Sequence, residues 1–114
     1  MSFWRQYFHL VWGTLDRLPL IEPEMDSPLF AQLVKKASEL GVYVYTVNGW
    51  VDHIHMVVAI PPKHGSAEVV RQLKGSSSHF VNHNLMPGGN FQWQRGYGSL
   101  SIGQLQRPIA EDYV

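Results

Sequence analysis

The chain has 114 residues, a formal net charge of zero, no cysteine and 45% hydrophobic residues. That is enough for one domain with its own core, and it excludes disulfides and thiolate chemistry. No apolar run approaches the ~20 residues of a membrane span. Met1-Ser2-Phe3-Trp4-Arg5 lacks a signal peptide's apolar core, so a cytoplasmic protein is expected.

Charge is unevenly spread. Every acidic residue lies at or before Glu68 or at Glu111 and Asp112. Between Val69 and Ala110 the charged residues are Arg71, Lys74, Arg95 and Arg107, with His79 and His83. A neutral chain argues mildly against nucleic acid, whose phosphates must be neutralised, but an acid-free half with hydroxyls and aromatics points back toward it.

Tyr7 to Thr14 is rich in aromatic and β-branched residues and reads as a first strand. Phe8, Leu10 and Trp12 share one face, and His9 points the other way as a satisfied or exposed strand residue. Leu18 to Asp26, with two prolines, is a loop. Ser27-Pro28 starts a helix, with serine as the cap and proline at the first helical position. Leu29, Phe30, Leu33, Val34, Ala37 and Leu40 follow at helical spacing, and Gly41 closes it.

Val42 to Asn48 is a second strand. Asn48-Gly49 is a two-residue turn signal that sets it antiparallel to the next strand. That third strand, Trp50 to Ile60, begins polar and ends apolar, and Pro61-Pro62 stops it. Alternation puts Ile54, Met56, Val58 and Ile60 on one face and His53, His55, Val57 and Ala59 on the other. Asp52 would point to the opposite face from the two histidines.

Ser66 caps a second helix from about Ala67 to Asn82. Gly75-Ser76-Ser77-Ser78 is poor helix material and predicts close packing or a bend. Asn84 to Asn90 is a loop. Phe91 to Ile102 is a fourth extended segment broken by Gly96 and Gly98. Pro108 opens a last helix, with Glu111 and Asp112 at the positive end of its dipole.

The order β-α-β-β-α-β plus a C-terminal helix is the α+β, ferredoxin-like plan. Helices on one sheet face would leave His53 and His55 on the uncovered face, roughly 7 Å apart along the strand. Two neutral imidazoles can hold a divalent ion with positions open, and such an ion is a Lewis acid toward phosphoryl oxygen. A water-activating hydrolase, an oxygenase and a phosphoryl transferase with a protein nucleophile all use such a site. An oxygenase wants a carboxylate ligand. A protein nucleophile must be Ser, Thr or Tyr here, and Tyr113 on the last helix is one candidate.

At this point the chain resembles a family. Asp52-His53-Ile54-His55-Met56-Val57-Val58 is similar to the His-hydrophobic-His motif of the HUH single-tyrosine transposases, which include the REP-associated tyrosine transposases. Tyr7-Phe8-His9-Leu10-Val11-Trp12 resembles their first strand. Leu73-Lys74-Gly75-Ser76-Ser77 resembles their second-helix signature. Phe91-Gln92-Trp93-Gln94-Arg95-Gly96-Tyr97 resembles their Trp-Gln-x-Gly-Tyr segment, and Pro108 to Val114 the start of their tyrosine helix.

The resemblance implies a transposase domain over residues 1–114. His53 and His55 would bind Mg²⁺ or Mn²⁺ (imidazole also suits Zn²⁺), and Tyr113 would attack single-stranded DNA to give a 5′-phosphotyrosine. It further implies a homodimer and recognition of DNA hairpins. Arg71, Lys74 and Arg95 are then candidates for DNA backbone contacts, and Trp93 and Tyr97 for base stacking. The family's third metal ligand, a Gln about one turn beyond the tyrosine, would fall past Val114, so the domain is expected to be cut short within the tyrosine helix. The competing expectation is a catalytically inactive single-stranded nucleic-acid-binding remnant of the same fold.

Overall fold

A computed structural model describes residues 6–102. Four strands, β1 (Gln6–Gly13), β2 (Tyr43–Trp50), β3 (His53–Ile60) and β4 (Gly98–Ile102), form one antiparallel sheet in the order β2-β3-β1-β4. Two helices, α1 (Asp26–Glu39) and α2 (Ser66–Phe80), lie between them in the sequence. This is the expected ferredoxin-like α+β plan. The expected last helix, with Tyr113, falls outside the described residues. Among the described residues no helix is long and apolar enough to cross a membrane.

The period-two pattern of β3 decides which side is the core. Ile54, Met56, Val58 and Ile60 are buried with Leu10 and Trp12 of β1, Leu29, Leu33 and Ala37 of α1, and Val69, Val70 and Leu73 of α2. Both helices therefore cover one face. The other face is not uniformly bare. At one end Tyr7, Val57, Ala59 and Ile102 form a small buried cluster with Tyr45 against it. At the other end His9, His53 and His55 are half-buried. The β2 register shifts between Val44 and Thr46, leaving Tyr45 as an extra residue. Its ring lies 5.8 Å from that of Tyr7 and 4.6 Å from that of Tyr43.

Several boundaries differ from the sequence reading. Asn48-Gly49 is not the turn: Gly49 pairs with Ile54 and Trp50 with His53, so the two-residue turn is Val51-Asp52. Asn48-Gly49 carries a turn signature, but glycine is needed there for another reason. A Cβ on Gly49 would meet the His53 carbonyl oxygen at 2.6 Å and Ile54 Cδ1 at 3.0 Å. Gly49→Ala should therefore destabilise the fold by about 1–3 kcal/mol. The check is a urea midpoint; an unchanged midpoint would contradict the close approach.

Helix α1 begins at Asp26, on the end of a short 3-10 turn at Pro23–Met25, rather than after Ser27. Gly41 does close it, with φ of +74°. Helix α2 is capped by Gly65, not Ser66. It runs without a break through Gly75–Ser78, where the three serine hydroxyls donate to carbonyls three residues back. Nothing packs within 4 Å of a Cβ built on Gly75. The helix then widens to one π turn over Val81–Leu85 instead of continuing straight. Of the expected extended segment Phe91–Ile102, only Gly98–Ile102 is a strand, and Trp93 makes an isolated bridge to Thr14.

Candidate metal and nucleic-acid site

The site lies where the end of β1 meets the start of β3. Gly13 pairs with His53 and Val11 with His55, so His53, His55 and the diagonal neighbour His9 share the face away from the helices. The rings of His53 and His55 stand 4.7 Å apart at 80°, closer than the strand repeat predicted. Their apolar strand-mates anchor the backbone beneath them, so the rings are held by a packed sheet.

Each ring has a partner on its Nδ1 side. His53 Nδ1 lies 2.7 Å from Asp52 Oδ1. A carboxylate only accepts, so the imidazole donates through Nδ1 and keeps Nε2 as a lone pair. Arg17 Nη2 is also 3.4 Å from that nitrogen, but the shorter contact to the carboxylate governs. Asp52 was expected on the opposite face. It sits in the turn, where strand alternation does not apply, and its side chain folds back onto its neighbour. Hydrogen bonds from His53 and then Arg17 hold its carboxyl below the usual range. His55 Nδ1 lies 3.2 Å from His9 Nε2, with ring centroids 5.4 Å apart.

Arg17 reaches the site through two consecutive residues in the left-handed region, Asp16 with φ of 53° and Arg17 with φ of 56°. Such strain in non-glycine residues persists only where surroundings enforce it. Here Thr14 is fully buried and its hydroxyl donates to Leu18 O at 2.6 Å. Asp16 N donates to Gln94 Oε1 at 2.8 Å, and Gln94 N to Gly13 O at 2.8 Å. The guanidinium is held 3.3 Å from Asp52 Oδ2 yet remains 62% exposed.

The candidate DNA contacts line two adjoining clefts that share Gly96 and Tyr97. Arg95 and Tyr97 line a cleft with Arg17 and Gly13. Arg71, Lys74 and Tyr97 line the adjoining one. Arg71 is exposed and bonded to Glu68 at 2.6 and 3.0 Å, which drives the Glu68 carboxyl down to about 2. Lys74 Nζ donates to Gln94 O at 2.6 Å and Gly96 O at 3.0 Å, so it pins the loop that carries Arg95. Tyr97 is exposed. Trp93 is packed: its indole N–H donates to Ser77 Oγ at 2.9 Å and its ring stands edge-on to Trp12 and Phe91.

The sequence reading missed His9, Arg17 and the part played by Asp52. Alternation already gave the face of His9; only the register between β1 and β3 was lacking.

Burial lowers the affinity of His9 and His55 for protons, and for His55 the charges of His53 and His9 add to it. The unfolded chain then binds protons that the folded chain refuses. Stability is full above the ordinary histidine range near pH 6.5 and falls as pH drops below it. The expected result is a urea midpoint that declines from about pH 6.5 toward pH 5, less steeply in His9→Gln. A flat profile would contradict it.

The sequence and the fold are similar to those of known proteins. The family described as "Transposase IS200 like" matches residues 2–114. The chain is 26% identical over 113 residues to the ISDra2 transposase TnpA of Deinococcus radiodurans, covering 94% of this chain and 80% of that one. It is 27% identical over 116 residues to the transposase for insertion sequence element IS200 of Salmonella typhimurium, covering 97% and 76%. A crystal structure of a candidate transposase from Deinococcus radiodurans superposes with a TM-score of 0.79 at 23% identity, over 96% of this chain and 88% of that one. A REP-associated tyrosine transposase bound to a REP hairpin superposes with a TM-score of 0.73 at 14% identity, over 96% and 64%. The strand order and a family match over nearly the whole length converge: this chain belongs to the IS200-like transposase family.

Proposed function

We propose that this chain is a DNA transposase domain that cleaves and rejoins single-stranded DNA through Tyr113, beside a divalent ion held by His53 and His55. The observation that carries the reading is the pair of imidazoles 4.7 Å apart on the sheet face away from α1 and α2, one of them fixed by a carboxylate through Nδ1. The donor set fits such an ion: burial favours His55 in its neutral, ligating form.

His53 and His55 would hold Mg²⁺ or Mn²⁺, which supplies a Lewis acid to a phosphoryl oxygen. Tyr113 loses its phenolic proton to solvent, and its oxygen bonds to the scissile phosphorus. The bond from phosphorus to the 3′ oxygen breaks, and that oxygen takes up a proton to leave as a 3′-OH. One phosphodiester replaces another, so no ATP is needed to reverse the step with a second DNA end. Arg71 and Arg95, which are exposed, and Lys74 would face the DNA backbone from the acid-free half. The hairpin-bound relative supports a folded DNA hairpin as ligand. The homodimer belongs to the same reading: Trp50 and Leu100 are 67% and 66% exposed on edge strands that another copy could cover.

The test is a denaturing gel with a hairpin-bearing single-stranded oligonucleotide and Mn²⁺. Wild type should give a covalent protein–DNA adduct and Tyr113→Phe none. Salt-sensitive binding without any adduct would favour the inactive binding module instead. Equal cleavage by both proteins would remove the tyrosine from the mechanism.

A further inference from the structure

We infer that His9 is a positioning residue for His55: it accepts the Nδ1 proton of His55 and thereby leaves the Nε2 lone pair of that ring free for the metal ion. The inference rests on the proposed metal site.

The two nitrogens are 3.2 Å apart, within hydrogen-bonding distance, and only two proton arrangements are open to two neutral rings. If His9 Nε2 donates, His55 carries its proton on Nε2 and that nitrogen cannot ligate. If His55 Nδ1 donates, His9 accepts and Nε2 of His55 is a ligand. The second arrangement reproduces at His55 what Asp52 does at His53, where the carboxylate 2.7 Å from Nδ1 fixes the same tautomer. Metal-bound histidines commonly tie their other nitrogen to an acceptor, which sets both tautomer and ring angle.

Placement supports a role behind the ligand rather than beside it. His9 is opposite Val57 on β1, one diagonal step from His55, so its far nitrogen meets the side of the His55 ring opposite Nε2. Among the described residues no three His, Cys, Asp or Glu side chains converge as a metal-holding group. A strand partner gives a rigid support: β1 and β3 are paired over eight residues, from Gln6–Ile60 to Gly13–His53. The partner is a neutral imidazole, where a carboxylate would bring a charge into a half-buried position.

The test uses the full chain, isotope-labelled for histidine ring nitrogens, above the ordinary histidine titration range and without metal. In wild type, His55 should carry its proton on Nδ1. His9→Phe removes the acceptor, and the His55 signal should shift toward the Nε2-protonated form. Mn²⁺ titration of the same proteins should show affinity weaker by about 10–100-fold in His9→Phe. His9→Gln, whose side-chain oxygen can reach the same point, should restore both readouts to within a few-fold of wild type. An unchanged His55 tautomer in His9→Phe overturns the inference, as does equal loss of Mn²⁺ in the Phe and Gln variants. Wild-type protein that takes up no Mn²⁺ would overturn the metal site itself, and the tautomer measurement would still decide whether His9 sets the His55 ring.

Discussion

The double substitution His53→Ala, His55→Ala is expected to abolish both Mn²⁺ uptake and the covalent adduct while leaving a folded protein. The reason is where the two rings lie. Neither belongs to the helix-covered core, which takes Ile54, Met56 and Val58 from the same strand. Strand alternation thus separates the residues that hold β3 in place from those that face a ligand. Each ring gives up one hydrogen bond, His53 to Asp52 and His55 to His9, so the loss of stability should be about 1–3 kcal/mol, with the core of β3 left intact. Removing both nitrogens leaves no histidine ligand on β3, so Mn²⁺ affinity should fall by more than about 100-fold. A double variant that still forms adduct at wild-type Mn²⁺ concentration would place the metal elsewhere.

Phe91→Ala should give the largest loss of stability tied to this site. The side chain is fully buried, with its ring edge-on to Trp93 at 4.7 Å. Its backbone is held on both sides by Asn82, whose Oδ1 accepts from Phe91 N at 2.9 Å and whose Nδ2 donates to Phe91 O at 3.0 Å. Truncation leaves a cavity that this doubly tied backbone cannot collapse to fill, so the cost is about 3–5 kcal/mol. For a domain of this size that lowers Tm by on the order of 15 °C. Phe91 also anchors the segment that leads through Gln94 to Arg95. Below its Tm, Phe91→Ala should keep Mn²⁺ binding and lose affinity for the DNA hairpin. Loss of Mn²⁺ binding in the folded variant would show that the two halves of the site are not separable in this way.

The histidine pair and the core face of β3 were legible because a single rule, period-two alternation, assigns them without any knowledge of the partner strands. The two helices were legible for the same reason at helical spacing. What alternation could not reach was anything set by register or by a turn. His9 was on the right face in the sequence reading but had no known neighbour, because only the pairing of Val11 with His55 brings its ring to that of His55. Asp52 was assigned to the wrong side because the turn was placed at Asn48-Gly49 instead of Val51-Asp52. A three-residue shift of the turn, from Asn48-Gly49 to Val51-Asp52, converts a strand residue into a turn residue, and its carboxylate becomes free to fold back. Arg17 depends on two left-handed residues, the first of which, Asp16, is held by Gln94, 78 positions along the chain, and nothing local announces them. The serine run in α2 shows the expected close packing at Ser77, which is fully buried, and no break in the helix. Its low propensity was offset locally, by hydroxyls returning to the helix's own carbonyls and by burial of Ser77 beneath Trp93.

The most direct measurement is peptide mapping of the adduct trapped with hairpin DNA and Mn²⁺. The phosphate remnant should sit on the peptide that contains Tyr113. A remnant on any other side chain, or strand cleavage that leaves no protein-linked phosphate at all, would contradict the account.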